Sequence, residues 1–276
     1  MCSPELHRDS PDDELIAYCA NPPVSRILGG APYGNKVIRL SDDQVIKFGI
    51  GVTREEAENQ KRAFDLVNHN IIRVPRVYRF FEDGSGLGYL IMEYMAGKVI
   101  DPLEDSTCIE KIARVLTHFA SLHGDIPGTL SGGPSCGLIF PETEELTFAS
   151  VKAMEAWFNS RLFAQDPKLS LQGCKLVLCH LDIAPRNILW LEDGSICFLD
   201  WASAGYYPRI FEFCAQWIIE HAGKEGKFNQ LLLDSMENLS YQELAQKEPI
   251  LRAWRNIQKY SLYVSQNPFI HQYLCL

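Results

Sequence analysis

The sequence predicts an α+β chain in two lobes, a small antiparallel sheet carrying one helix and then a mainly helical second lobe. Three observations predict it. From about residue 24 to 95 apolar side chains fall in short alternating runs broken by polar turns, the period of half-buried strands. After Gly97 the spacing lengthens to that of amphipathic helices. One later pair of strand-like runs, between Ile188 and Leu199, adjoins the densest group of chemically capable side chains. On this reading residues 1–23 are an N-terminal extension, 24–95 the first lobe and 96–276 the second.

In the first lobe, residues 37–40 and 45–48 read as strands joined by a polar turn at Ser41-Asp42-Asp43. Residues 53–67 read as a helix, with Thr53 and Glu56 spaced as a capping box. Residues 74–81 and 87–95 form another strand pair around the turn 82–86. In the second lobe, Ile109, Ile112, Ala113, Leu116, Ala120 and His123 mark one face of a helix that Gly124 stops. Further helices are expected over 148–164, 211–221 and 248–263, and a strand over 175–179. The Gly- and Pro-rich segments 124–141 and 205–208 read as loops.

At 276 residues, with 46% hydrophobic and 22% charged content, the chain can bury a substantial core. A net charge of −9 and the lack of any Lys/Arg run argue against nucleic acid as a partner. Residues 1–21 carry Asp9, Asp12, Asp13 and Glu14 rather than an apolar signal core, and no apolar run is long enough to span a bilayer, so no membrane partner is expected. Nine cysteines are scattered without a C-x-x-C pair, the pattern of thiols in a reducing cytoplasm, where the Asn238-Leu239-Ser240 sequon goes unused. Small molecules are the expected partners.

The chemistry concentrates in His180-Leu181-Asp182-Ile183-Ala184-Pro185-Arg186-Asn187, followed by Asp200 at the end of an apolar run. An acid to take a hydroxyl proton, then an amide and an acid to hold magnesium, is the spacing of a phosphoryl-transfer site. The runs 188–191 and 195–199 meet through Asp193-Gly194, a strong two-residue hairpin signal. A turn centred there sets Asn187 directly opposite Asp200, with Cβ atoms roughly 5 Å apart on one face. Asp182 is thus the candidate base, and Asn187 and Asp200 are the candidate magnesium ligands. His180 reads as structural; a Cys179-His180 dyad is disfavoured because adjacent strand residues point to opposite faces.

Lys47 ends a strand from which it could reach nucleotide phosphates if a carboxylate held its ammonium. Among Glu55, Glu56 and Glu58, helical spacing puts Glu56 on the inward stripe with Gln60, Ala63 and Val67. Residues 29–34, Gly-Gly-Ala-Pro-Tyr-Gly, read equally as a phosphate-covering loop and as a plain turn, and match neither G-x-G-x-x-G nor a Walker A motif. Met92-Glu93-Tyr94-Met95 is the expected place for an adenine to bond to backbone between apolar side chains.

Taken together these segments resemble the aminoglycoside phosphotransferase and choline kinase group of the protein-kinase-like bilobal fold, and look closest to small fungal phosphotransferase-like proteins. The resemblance is most specific over 180–213, including Leu199-Asp200-Trp201 and Ala204-Gly205-Tyr206-Tyr207-Pro208, and weaker over 37–97. It implies Asp182 as catalytic base, Asn187 and Asp200 as magnesium ligands, Lys47 and Glu56 as the phosphate-binding ion pair, and 24–95 as the nucleotide-binding lobe. ATP and Mg2+ are the implied cofactors, and a small-molecule hydroxyl the implied acceptor. Two departures stand out: Ala202 occupies a position where many relatives carry an acid, and the glycine-rich loop is poor. Pro208 arrives soon after Asp200 and a helix opens at Phe211, leaving no platform for a peptide. Two alternatives stay open, a catalytically silent pseudokinase and a kinase-like scaffold recruited for a non-phosphoryl reaction; the intact set of Asp182, Asn187, Asp200 and Lys47 favours an enzyme.

Overall fold

The computed structural model describes residues 6–30, 34–142, 144–221, 227–236 and 239–264. They fall into two compact units, Met1–Leu103 with Ile183–Ala204, and Glu104–Asp182 with Gly205–Leu276. The hairpin segment, grouped by the sequence with the second lobe, therefore packs with the strand-rich unit.

The first unit holds α1 (Asp12–Ala20), β1 (Ile27–Gly30), β2 (Lys36–Arg39), β3 (Gln44–Gly49), α2 (Arg54–Leu66), β4 (Val77–Glu82), β5 (Gly88–Glu93) and β6 (Gly97–Lys98), and later β10 (Ile188–Leu191) and β11 (Ile196–Phe198). Its main sheet is antiparallel, in the order β1-β2-β3-β5-β4. Side-chain alternation gives it two apolar faces. On one, Ile38, Ile46, Phe81, Tyr89 and Ile91 pack with Leu15 and Cys19 of α1, a helix the sequence pattern did not announce. Arg79 of β4 ties α1 down by donating to Ser10 O at 2.9 Å and pairing with Asp12. On the other face, Val45, Leu90 and Met92 pack with Val52 and with Ala57 of α2. A second, three-stranded sheet runs β11-β10-β6. It is joined to the loop before β4, because Arg73 N–H donates to Ile196 O at 2.8 Å and Phe198 N–H donates to Arg73 O at 3.1 Å.

The second unit holds α3 (Ser106–Phe119), β7 (His123–Gly124), β8 (Gly128–Thr129), α4 (Val151–Ser160), β9 (Leu176–Cys179), β12 (Gly205–Pro208), α5 (Ile210–His221), α6 (Lys227–Ser235), α7 (Tyr241–Leu244) and α8 (Lys247–Val264). Its core gathers Phe140, Met154, Phe158, Tyr207, Phe211 and Leu251 around β9, α4, α5 and α8. Two expectations are corrected here. The helix expected to run to Gly124 ends at Phe119, and His123 and Gly124 pair with Val177 and Leu176 instead. Residues 205–208, read as a loop, form a buried strand between β9 and β8. Gly205 is required there, since a Cβ would lie 2.2 Å from the carbonyl oxygen of Gly128, and Pro208 ends the strand opposite Leu176. No helix among the described residues is long and apolar enough to cross a membrane, and their cysteines are free thiols.

Candidate active site

In the first unit β3 lies between β2 and β5, and its alternation sends Val45 and Lys47 to the α2 side. Thr53 caps α2 by accepting from Glu56 N–H at 3.2 Å. The reciprocal half of the expected capping box is not made, because the Glu56 carboxylate turns to Lys47: Nζ donates to Oε1 at 2.6 Å. Lys47 Nζ also lies 3.4 Å from Asp200 Oδ1. The Lys47 and Glu56 side chains are 12% and 2% exposed, against 39% for Asp200, so the buried pair opens toward solvent through Asp200. Burial works against the Lys47 ammonium, but Glu56 and Asp200 outweigh it and hold its pKa above the usual lysine value. Burial pushes the Glu56 carboxyl up, with Lys47 opposing. The 2.6 Å contact is that of a charge-assisted bond, and two carboxylates share one ammonium.

The same buried face of α2 carries two further polar residues at helical spacing. Asn59 donates to Ala202 O at 2.8 Å, and Gln60 donates to Pro75 O at 2.8 Å. Asn59, wholly buried, thus fixes the chain two residues beyond Asp200. Its place three residues after Glu56, beside the inward stripe, was the available clue, since a buried amide is tolerated only when bonded.

The hairpin register differs by one residue from that expected. Ile188 faces Phe198 and Trp190 faces Ile196, so Asp200 is not directly opposite Asn187. The reason lies at the tip. Gly194 N–H donates to Leu191 O and Leu191 N–H to Ser195 O, both at 3.0 Å, and Gly194 has φ 78°. This is a three-residue loop with a left-handed glycine, the next commonest solution after the two-residue turn. Leu199 N–H donates to Asn187 O at 2.9 Å, and Asp200 then adopts φ 63°, a left-handed conformation that costs a non-glycine residue roughly 1–3 kcal/mol and re-aims its carboxylate toward Lys47. Asn187, 8% exposed, ends the 3-10 turn Pro185–Asn187.

The four residues expected around an adenine lie at and just beyond the end of β5. Met92 packs in the sheet core, with its sulfur 3.3 Å from Gln60 Nε2, and Met95 is 8% exposed. Glu93 accepts from Arg76 N–H at 3.1 Å. Tyr94 donates its N–H to Asp43 O at 2.8 Å and lies under the Arg39 guanidinium, 4.2 Å from the ring centre. Ala31, Pro32 and Tyr33 of the glycine-rich stretch lie outside the described residues.

Asp182 belongs to the second unit, where β9 delivers it through His180 and Leu181. His180 is fully buried and its Nδ1 lies 3.3 Å from Asp182 N. Leu181 has φ 64°, a conformation for which its apolar side chain offers no local hydrogen bond. A residue missed in the sequence holds it there: Glu212 of α5 accepts from the N–H of His180 at 2.6 Å and of Leu181 at 3.1 Å. Burial pushes the Glu212 carboxyl up to about 7, against the pull of those two N–H groups. A lone acid inside Ile210-Phe211-Glu212-Phe213-Cys214-Ala215 was the available clue, since an acid is rarely buried without a partner.

The strand-rich first unit with its antiparallel sheet and the mainly helical second unit give the chain an α+β fold of the protein-kinase-like kind. The model described as the phosphotransferase enzyme family matches residues 30–227, and the chain belongs to that family. Similar solved structures include a candidate fructosamine-3-kinase from Haemophilus somnus, 13% identical, with a TM-score of 0.54 over 88% of this chain and 85% of that one. An aminoglycoside phosphotransferase in complex with GDP and kanamycin is 12% identical, with a TM-score of 0.50 over 91% and 92%. A choline kinase from Streptococcus pneumoniae is 14% identical, with a TM-score of 0.47 over 90% and 92%. The sequence has no significant match among curated proteins.

Proposed function

We propose that this phosphotransferase-family protein moves the γ-phosphoryl group of ATP to a hydroxyl of a small molecule. The observation that carries the reading is the Lys47 ammonium, bonded to Glu56 at 2.6 Å and 3.4 Å from Asp200. A structural ion pair needs one carboxylate; a second, more exposed one beside it suits a site that takes up phosphate and a divalent cation. Lys47 binds the phosphates and Glu56 keeps its ammonium aimed. Met92, Glu93, Tyr94 and Met95 supply the wall for the adenine, through backbone groups and the two methionine side chains. Asp182 accepts the proton of the acceptor hydroxyl and orients its oxygen toward the γ-phosphorus.

Asn187 and Asp200 are the residues that would hold Mg2+. The donor set fits. An amide and a carboxylate offer the hard oxygens that Mg2+ takes alongside waters and nucleotide phosphates. Bound there, the ion would neutralise charge on the transferring phosphoryl group. The short interval from Asp200 to α5 supports a small acceptor over a peptide, and a cytoplasmic setting suits both ATP and the free thiols. The test is transfer of label from γ-labelled ATP to each member of a panel of aminoglycosides, choline and fructosamines, with ADP formation measured alongside. Stimulation by one panel member, lost in Asp182→Asn, is the expected result; no ATP turnover and no ATP binding would remove the proposal.

A further inference from the structure

On the first unit a concavity of about 340 Å³ is lined by Phe64, His69, Arg73, Arg76, Tyr78 and Glu93. Two guanidiniums and an imidazole there face one carboxylate, in a chain whose net charge is −9. The charges are poorly matched. Arg73 Nη2 stands 3.9 Å from Glu93 Oε1, beyond hydrogen-bond length. Glu93 Oε2 is engaged by the backbone N–H of Arg76 at 3.1 Å, not by its guanidinium. That guanidinium has no carboxylate partner among the described residues and rests over the Phe64 ring, 5.0 Å from its centre, with the His69 ring 4.5 Å from Phe64. The position of Arg73 is set by its backbone bonds to Ile196 and Phe198, so its side chain is presented from a fixed point.

We infer that this concavity is a binding site for a small oxyanion, a phosphate or carboxylate group gripped between the Arg73 and Arg76 guanidiniums in competition with Glu93. The two forks match the paired oxygens of such groups, and the Phe64 and Tyr78 rings offer an apolar wall to whatever carries them. The inference stands whether or not the chain transfers phosphoryl groups.

Inorganic phosphate, and citrate as the carboxylate arm, would be titrated into the full chain by calorimetry and thermal shift at constant ionic strength. Saturable binding of either anion is expected, weakened roughly tenfold or more by Arg73→Gln and by Arg76→Gln, as for loss of a charge-assisted bond. Glu93→Gln removes the competitor and is expected to tighten binding severalfold, a gain that a misfolded variant would not show. Absence of binding by both anions, or binding that survives both arginine substitutions, would overturn the inference; citrate binding without phosphate, lost in the arginine variants, would support it and name the carboxylate.

Discussion

Replacing Glu212 with glutamine isolates the electrostatic term in the loop that leads to Asp182. The carboxyl is 2% exposed, and burial lifts its pKa from 4.5 to about 7. An unfolded chain gives up this proton near the lower value and the folded chain only near the higher one. Between them the folded state therefore holds more protons than the unfolded state, so stability falls as pH rises through the window and levels off above it. At ~1.4 kcal/mol per pH unit, the interval from 4.5 to about 7 is worth about 3 kcal/mol. Glutamine keeps an oxygen for the N–H groups of His180 and Leu181 and has no charge to desolvate. Urea unfolding of both proteins should then give a stability difference, variant minus wild type, that rises by about 3 kcal/mol from about pH 4.5 to 8. Constant offsets from the exchanged amide cancel in that comparison. Parallel profiles, with the difference moving by less than ~0.5 kcal/mol, would refute the reasoning.

Asp182→Asn should lower phosphoryl transfer roughly 10²- to 10⁴-fold, as for loss of a general base, while calorimetric affinity for MgATP stays within about twofold. Lys47→Met strands the buried Glu56 carboxylate, and urea unfolding at neutral pH should register a loss of roughly 3–5 kcal/mol, part of which Lys47→Met with Glu56→Gln recovers. Asn59→Ala leaves Ala202 C=O without its side-chain donor, a cost of about 1–3 kcal/mol, and should weaken magnesium-dependent nucleotide binding by loosening the chain that carries Asp200.

The pairing of Lys47 with Glu56 was legible because it depends on two regular periods: alternation in a strand sends Lys47 to the helix side, and helical spacing puts Glu56 on the face that meets it. The two-lobe division into strand-rich and helical segments was legible for the same reason. What escaped the sequence depends on single backbone choices. Asp193-Gly194 permits both two- and three-residue loops, and the adopted one shifts the register by one position. The left-handed turns at Leu181 and Asp200 are imposed by tertiary partners, Glu212 for the first and the α2 face beside the second. Glu212 itself acts on main-chain N–H groups, which carry no residue-specific signature. Residues 205–208 looked like a loop because glycine and proline usually mark one; here glycine permits close strand approach and proline ends the strand opposite Leu176. The α1 helix lacks a strong apolar stripe, and only Leu15 and Cys19 are buried from it.

The proposed nucleotide site around Lys47 and Asp200 is magnesium-dependent. Isothermal titration of ATP, with and without magnesium, into wild type and Asp200→Asn tests it directly. Binding to wild type should strengthen at least roughly tenfold when magnesium is present, with no magnesium effect in Asp200→Asn. Wild-type protein that takes up no ATP, or that binds it equally with and without magnesium, would contradict it.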